Sequence, residues 1–220
     1  MARVPFFKTR YVGTAVSALI PGLGLWLRGY PTQGFLNLCI GLVLIAAVWG
    51  MGLWGGTGAS IFFGMLLLLP WWAFQVFQTS RVSPSGMRDT WNVIWKNGHD
   101  IQYLGALFFL AAIMDIYIIL ANPNYSLHVF CTRPAGLLGA LAKAQSPTFH
   151  VAIGYGFLGR RRWALLVYLI YAAYGLINAT VNFACEGYGR IRTVFFLTLL
   201  AFTIYVLCRR RCFVSVPAQP

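Results

Sequence analysis

The run FLNLCIGLVLIAAVWGMGL, residues 35–53, decides the fold class of this chain. It contains no charged residue, and its length is close to the ~20 apolar residues with which a helix crosses a bilayer. Further apolar runs lie at 59–78, 101–121, 163–184 and, shorter, 193–208, and a run broken by Pro21 and two glycines precedes them at 11–27. The pattern predicts an all-α polytopic membrane helix bundle with about six transmembrane helices.

The composition supports a membrane protein and leaves little material for a soluble domain. Of 220 residues, 59% are hydrophobic and 10% are charged, with a mean hydropathy of +0.70. A soluble domain carries about 25% charged residues. The eight Trp are typical of proteins with side chains at two lipid–water interfaces. We therefore treat residues 1–220 as a single membrane domain.

Basic residues predict the orientation of the chain. A net charge of +13 comes from 17 Lys and Arg against four acids, scattered between apolar runs in a way that suits anionic phospholipids rather than nucleic acid. Six spans give one side eleven basic residues and the other side six. The richer side holds Arg3, Lys8, Arg10, Arg133, Lys143, Arg160, Arg161, Arg162, Arg209, Arg210 and Arg211. The positive-inside rule then puts both termini in the cytoplasm, and we expect the inner membrane of a bacterium.

Two connecting stretches have structure of their own. In 86–98, Met87, Trp91, Ile94 and Trp95 share one helical face, which predicts an amphipathic helix that lies in the interface or packs on the same protein. The stretch 122–162 is weakly polar, and Ser146-Pro147 is expected to break any helix within it. This connection is either an interfacial loop or a re-entrant segment that dips into the bilayer.

The first apolar run carries a recognisable motif. Pro21-Gly22-Leu23-Gly24 is followed by Trp26, Gly29 and Gly34 before the next run begins. Residues 11–53 resemble the two-transmembrane-helix domain family, which has such a Pro-Gly-x-Gly signature, while the rest of the chain matches no family pattern that we recognise. The resemblance implies a packed hairpin around these residues and no enzymatic activity. Small residues of this kind let helix backbones approach closely.

Polar residues within the spans are the first candidates for function. Asp115 is the acid in the fourth span, where an ionisable group marks an ion path or pairs with an arginine such as Arg190 or Arg192. In the fifth span, a polar stripe on one face suits helix–helix contact or a pathway lining. The stripe consists of Tyr171, Tyr174, Asn178 and Asn182.

Sites near the membrane surface are weaker candidates. Arginines that precede the fifth and sixth spans are expected to bind lipid phosphate, namely Arg160, Arg161, Arg162, Arg190 and Arg192. His128 and His150 could meet near Cys131 as a metal site, but the spacing matches no ligand pattern, so we expect bound lipids and no cofactor. The five cysteines are expected to be unpaired thiols.

Three functions fit these features. A surplus of aromatic and small-residue surface with few catalytic groups favours a non-catalytic subunit that packs against other membrane subunits and lipids in a larger complex. The alternative is a small transporter or channel that uses Asp115 and the Asn178/Asn182 face. A third hypothesis is an enzyme that acts on lipid through residues 122–162.

Overall fold

The computed structural model describes residues 10–81, 86–122 and 126–213. The chain divides into two units, Met1–Asn97 and Gly98–Pro220, and each is considered by itself. Helices form the whole of the named secondary structure in the described residues, so the prediction of an all-α protein is confirmed.

The first unit contains six α-helices within its described residues. They are α1 (Arg10–Leu19), α2 (Leu23–Leu27), α3 (Pro31–Gly55), α4 (Thr57–Phe63), α5 (Leu69–Ser80) and α6 (Met87–Asn97). A π-helical turn at Gly64–Leu68 joins α4 to α5, so Thr57–Ser80 forms one helical rod. Gly56, with a φ of 80°, separates this rod from α3.

The first apolar run reverses direction instead of continuing as one helix. α1 and α2 are antiparallel, because Gly13 in α1 lies against both Gly24 and Arg28. The reversal falls at Pro21-Gly22, where Gly22 adopts a left-handed φ of 82° that side chains with a Cβ rarely adopt. A single helix across 11–27, as the six-span arrangement requires, is therefore wrong.

The predicted amphipathic segment forms a helix, α6. Some of its side chains are buried and others are partly exposed, and the sequence alone does not decide which. Thr90 and Ile94 of α6 are buried, whereas Trp91 and Trp95 are 45% and 39% exposed. The Trp91 ring lies 6.5 Å from that of Phe74 in α5. These contacts favour packing on the same unit, with the two indole rings left partly accessible.

The second unit is built from four long helices that follow one another in the chain. They are α7 (His99–Ala121), α8 (Gly136–Leu158), α9 (Arg162–Glu186) and α10 (Arg190–Cys208), followed by a 3-10 turn at Arg210–Cys212. Four helices in the described residues are long and apolar enough to cross a membrane: Pro31–Gly55, Thr57–Ser80, His99–Ala121 and Arg162–Glu186. The predicted apolar runs at 35–53, 59–78, 101–121 and 163–184 coincide with these four.

The connection 122–162, predicted as an interfacial loop or a re-entrant segment, is largely α8, and this helix continues through Pro147. α8 runs antiparallel to α7 along its length: Gly154 touches Gly105, while Ser146 bonds to Asp115. Pro147 costs the helix one backbone hydrogen bond. Pro147 is buried and α8 is continuous through it, so the predicted break at Ser146-Pro147 is wrong.

Aromatic and aliphatic side chains from all four long helices form the core of the second unit. Its fully buried members include Ile101, Ile153, Phe157, Tyr168 and Val206. Close backbone contact between α7 and α8 depends on Gly105, where a Cβ would come within 2.9 Å of the Gly154 carbonyl oxygen. This packing brings three polar side chains from three different helices together in the interior.

Candidate functional site

A carboxylate, an imidazole and a phenol meet inside the second unit. His150 Nδ1 lies 2.9 Å from Asp115 Oδ2, and His150 Nε2 lies 2.9 Å from the Tyr171 hydroxyl. α7, α8 and α9 each supply one of the three residues. We call Asp115, His150 and Tyr171 the relay cluster.

A fourth residue fixes the carboxylate of the relay cluster. Ser146 lies one helical turn before His150 in α8, and its hydroxyl donates to Asp115 Oδ2 at 2.6 Å. Asp115 contacts Ser146 and His150 of α8, whereas Arg192, one of its two expected partners, pairs with Glu186. The sequence does not predict these contacts, because it does not predict a continuous helix at 136–158.

Aromatic rings enclose the imidazole of the relay cluster. The ring of Phe108 lies 5.5 Å from that of His150 and 6.3 Å from that of Tyr171. Phe149 lies 5.9 Å from Tyr171 on another side. His150 is only 8% exposed as a result. In such surroundings water screens charge poorly, so each proton on the cluster strongly affects its neighbours.

The two nitrogens of His150 play different parts. Nε2 and the Tyr171 hydroxyl form a hydrogen bond whose direction depends on the tautomer of the ring. Nδ1 makes no well-aligned hydrogen bond with the described residues, although it lies at ion-pair distance from Asp115. A proton taken up at Nδ1 converts that contact into a charged pair. The imidazole therefore presents one ring nitrogen to a carboxylate and the other to a phenol.

The polar stripe on α9 divides between two tasks. Tyr171 belongs to the relay cluster, while Asn178 and Asn182 hold the segment that precedes α8. Asn178 Oδ1 accepts from the Phe130 amide at 2.8 Å, and Asn182 Oδ1 accepts from the Cys131 amide at 2.8 Å. Tyr174 packs its ring 5.6 Å from that of Phe130. The side chains of Asn178 and Asn182 therefore hold this loop in place by accepting hydrogen bonds from its backbone.

A disulfide closes the same loop. Cys131 is bonded to Cys185 near the end of α9, with their Cα atoms 6.0 Å apart. The expectation that all five cysteines are unpaired is therefore wrong. Phe130 and Cys131 have positive φ angles of 46° and 64°, which cost about 1–2 kcal/mol each. The disulfide and the two asparagines hold this backbone in place.

The histidines do not form a common metal site. His128 pairs with Glu186, and Glu186 also pairs with Arg192. His150 belongs to the relay cluster, and Cys131 is taken by the disulfide. Among the residues that the structure describes, no group of three or more His, Cys, Asp and Glu is arranged to hold a metal.

The arginine candidates for lipid binding have different surroundings. Arg192 donates to the backbone oxygens of Asn182 and Gly187 at 3.2 and 3.3 Å in addition to its pair with Glu186. Arg160 lies against Gly98 with its own φ at 49°. Arg161 is half-buried and Arg162 is exposed at the start of α9, while the side chain of Arg190 lies outside the described part of the structure.

A buried ion pair that the sequence analysis did not predict lies elsewhere in the second unit. Arg209 Nε and NH2 donate to the two oxygens of Asp100 at 2.7 and 2.8 Å, and the Tyr205 hydroxyl donates to Oδ2 at 2.6 Å. Arg209 is 6% exposed and Asp100 is 8% exposed. The pair joins the start of α7 to the end of α10. It was missed because Asp100 lies just outside the apolar run 101–121.

In the first unit, the motif glycines make close backbone contacts. A Cβ on Gly22 would overlap the carbonyl oxygen of Gly34, and one on Gly24 would overlap that of Gly13. Pro21 lies against Gly41 of α3, and Gly29 adopts a left-handed φ of 90° between α2 and α3. The reversal that the motif forms is thus a tightly packed element.

Uncharged side chains satisfy the backbone at this reversal. Gln75 Oε1 accepts from the Gly22 amide at 3.3 Å, and Gln75 Nε2 donates to the backbone carbonyl oxygen of Ser17 at 2.6 Å. The Ser17 and Thr79 hydroxyls lie 3.0 Å apart, and Asn37 Nδ2 donates to Gln78 at 2.9 Å. Irregular backbone survives at membrane depth only with such partners.

Together these features define an all-helical protein with several helices of membrane-crossing length and apolarity. Comparison with known proteins adds no relative: no family model, no curated protein and no solved structure matches the chain. The functional argument therefore depends on the sites described above.

Proposed function

We propose that this chain is a small proton-coupled membrane transporter in which Asp115, His150 and Tyr171 carry the proton. The observation that supports this function is the relay cluster itself, in which the imidazole lies 2.9 Å from both the carboxylate and the phenol. Ionisable groups inside a membrane helix bundle are costly and usually serve ion or proton pathways.

The chemistry of the relay cluster suits reversible protonation. When His150 binds a proton at Nδ1, its positive charge faces the Asp115 carboxylate and draws α8 toward α7. When the proton leaves, the neutral ring keeps its hydrogen bond to Tyr171 in α9. Protonation thus changes which neighbouring helix His150 holds more strongly, which is how a proton gradient can drive a change in packing.

The disulfide supports a membrane crossing by α8. Cys131 and Cys185 are bonded, so they must be on the same side of the membrane. α9 lies between Arg162 and Cys185 and has the length and apolarity of a span. One more crossing between 131 and 162 is then required, and α8 is the helix in that interval. Polar residues such as Lys143, Gln145 and His150 lower the mean hydropathy of α8, which explains why hydropathy alone does not mark it.

The disulfide and the basic residues support the same orientation for the second unit. Disulfides persist in oxidising compartments, which supports a location of the Cys131 end outside the cytoplasm. Six arginines, 160–162 and 209–211, gather at the opposite end, where α8 and α10 finish. The positive-inside rule assigns that end to the cytoplasm. In a bacterium this arrangement belongs to the inner membrane.

In the first unit, basic residues support an orientation independently. Arg10 begins α1, while Arg28 and Arg81 lie beside each other because Arg28 NH1 donates to the Arg81 oxygen at 2.8 Å. The turn at 56 that joins α3 to α4 carries no charge. The positive-inside rule again favours a cytoplasmic location for the basic end, which agrees with the expectation that both termini lie in the cytoplasm.

The proposal is tested with purified protein in vesicles under an imposed pH gradient, with internal pH read by a trapped dye. Asp115→Asn should reduce proton flux by at least about tenfold, because the carboxylate no longer stabilises protonated His150. Glu186→Gln, which removes a carboxylate elsewhere, should retain flux. Equal flux in wild type, Asp115→Asn and empty vesicles would overturn the proposal, provided that circular dichroism shows all variants folded.

A non-catalytic subunit of a larger membrane complex is the second candidate. It is favoured by the binding of Asn178 and Asn182 to the 128–131 loop, because these amides then serve structure instead of a path. Gentle extraction from the native membrane, a native gel and mass spectrometry test it. Stoichiometric partners would support the subunit function, and a chain that migrates alone would count against it.

A further inference from the structure

Two runs of three arginines, 160–162 and 209–211, lie at the same end of the second unit. The first run joins α8 to α9, and the second follows α10. The ring of Phe157, shortly before the first run, lies 5.0 Å from that of Phe213, shortly after the second. We call the two runs together the arginine end. Of the two, the sequence predicts lipid phosphate only at the first, and the structure adds the second to the same surface.

The arginine end carries far more positive than negative charge. All four acids of the chain lie among the described residues, and of these Asp100 is the one at this end, where it binds Arg209. The other three lie in the first unit, in the relay cluster and at the opposite end of α9. Four further arginine side chains are exposed or half-buried: Arg161, Arg162, Arg210 and Arg211. Such an excess of positive charge predicts an anionic partner.

Aromatic side chains indicate that the arginine end lies at the level of lipid head groups. Trp163 follows Arg162 directly and stacks on Tyr155 of α8, with ring centroids 6.3 Å apart. The two residues are 44% and 59% exposed. Exposed Trp and Tyr at the end of an apolar helix are typical of the lipid–water interface, and α9 has the length and apolarity of a span. The anions that these arginines meet at that level are phospholipid phosphates.

The two runs belong to separate segments that internal contacts hold together. Besides the contact between Phe157 and Phe213, Arg209 fastens the second run to Asp100 at the start of α7. A guanidinium group pairs with a phosphate through two parallel hydrogen bonds. Each run has its own exposed arginine, so the surface suits two phosphates of one molecule. The second phosphate then binds at a high effective concentration, which favours one lipid with two phosphates over two separate lipids.

We propose that the arginine end binds one phospholipid of the cardiolipin type, in which a glycerol joins two phosphates. One phosphate binds Arg161 and Arg162, and the other binds Arg210 and Arg211. The lipid lies in the leaflet at which α8 and α10 finish. This site does not depend on proton transport, so it stands or fails separately from the proposed function.

Native mass spectrometry of the full chain, released from nanodiscs that contain cardiolipin and phosphatidylglycerol at equal phosphate content, tests the site. Wild type should retain one cardiolipin molecule in preference to phosphatidylglycerol. Arg162→Gln and Arg211→Gln, one in each run, should each lower this preference by about fivefold, the effect of one basic residue near a membrane surface. Arg133→Gln removes one exposed charge near the Cys131–Cys185 disulfide, at the other end of α9, and should keep the preference.

Several outcomes would overturn the proposal. If wild type retains both lipids alike, the arginine end attracts charge without selecting a lipid with two phosphates. If either Arg162→Gln or Arg211→Gln keeps the full preference, one run binds without the other. An equal loss in Arg133→Gln would show an effect of overall charge. Inorganic pyrophosphate is offered to solubilised wild type at the same phosphate concentration, and its retention in place of cardiolipin would assign the site to a soluble anion.

Discussion

The two units bury polar groups of different kinds. Among the residues of the first unit that the structure describes, the buried polar side chains are uncharged: Ser17, Asn37, Gln75, Gln78, Thr79 and Thr90. In the second unit they are Asp100, His150, Asn182 and Arg209, three of which are ionisable. An uncharged network gives one fixed set of hydrogen bonds. A network of ionisable groups changes with its protons, so the second unit is where a response to a proton gradient is expected.

Breaking the buried Asp100–Arg209 ion pair of the second unit should cause the largest loss of stability. Arg209→Gln leaves the Asp100 carboxylate buried without its charged partner, which should cost about 3–5 kcal/mol of unfolding free energy. Denaturation in detergent, followed by circular dichroism, measures the loss. Arg210→Gln, next in the chain and exposed, is the control. Asp100→Asn combined with Arg209→Gln should recover part of the loss, and no recovery would contradict the assignment.

The next effect concerns the close backbone contact in the first unit. Gly22→Ala adds a methyl group that overlaps the Gly34 carbonyl oxygen at a left-handed φ. We expect a loss of about 2–4 kcal/mol from overlap and backbone strain. Gly50→Ala is the control, because its Cβ meets open space within α3. If Gly22→Ala and Gly50→Ala lower the free energy of unfolding by the same amount, the reversal does not depend on close packing at Gly22.

A smaller effect tests the uncharged network. Gln75→Leu leaves the Gly22 amide and the Ser17 carbonyl oxygen without their side-chain partner. The expected loss is about 1–3 kcal/mol in the same unfolding assay. Val76→Leu, at the next position of α5, should change stability much less. A neutral result for Gln75→Leu would show that the backbone at the reversal finds other partners.

The smallest effect on stability should come from the relay cluster. Tyr171→Phe removes one hydrogen bond to His150 while the ring contacts with Phe108 and Phe149 remain. We expect a loss of about 0.5–1.5 kcal/mol together with a clear drop in proton flux. Tyr155→Phe, at an exposed residue of α8, should change neither quantity. Unchanged flux in Tyr171→Phe would limit the relay to Asp115 and His150.

The sequence predicts the parts of the fold that hydropathy controls. Four apolar runs correspond to the four helices of membrane length. α8 escapes detection because Lys143 and His150 lower its hydropathy, and His150 is buried between its contacts with Asp115 of α7 and Tyr171 of α9. The first apolar run, 11–27, has the opposite effect: its apolar residues predict a span, but the chain reverses direction at Pro21-Gly22.

The candidate sites are predictable only in part. Asp115 is evident from the sequence because a charge within an apolar run is rare. Its partner His150 depends on how many times the chain crosses between them, which spacing does not reveal. Asp100 and Arg209 are 109 residues apart, and no local pattern links them. Asn178 and Asn182 stand out in the sequence as polar residues of an apolar run. The residues to which they hydrogen-bond belong to a segment without regular structure, so the sequence does not predict them.

The reversal in the first unit also constrains the order of events during synthesis. Ser17 is separated from its partner Thr79 by 62 residues, and a ribosome adding about 5–20 residues per second needs about 3–12 s to cover that distance. Throughout that interval the nascent α1–α2 segment has no Gln75 or Thr79 to bind. The side-chain hydrogen bonds to this segment can form only after α5 has been synthesised, so this short hairpin is completed after the longer helix α3 that follows it.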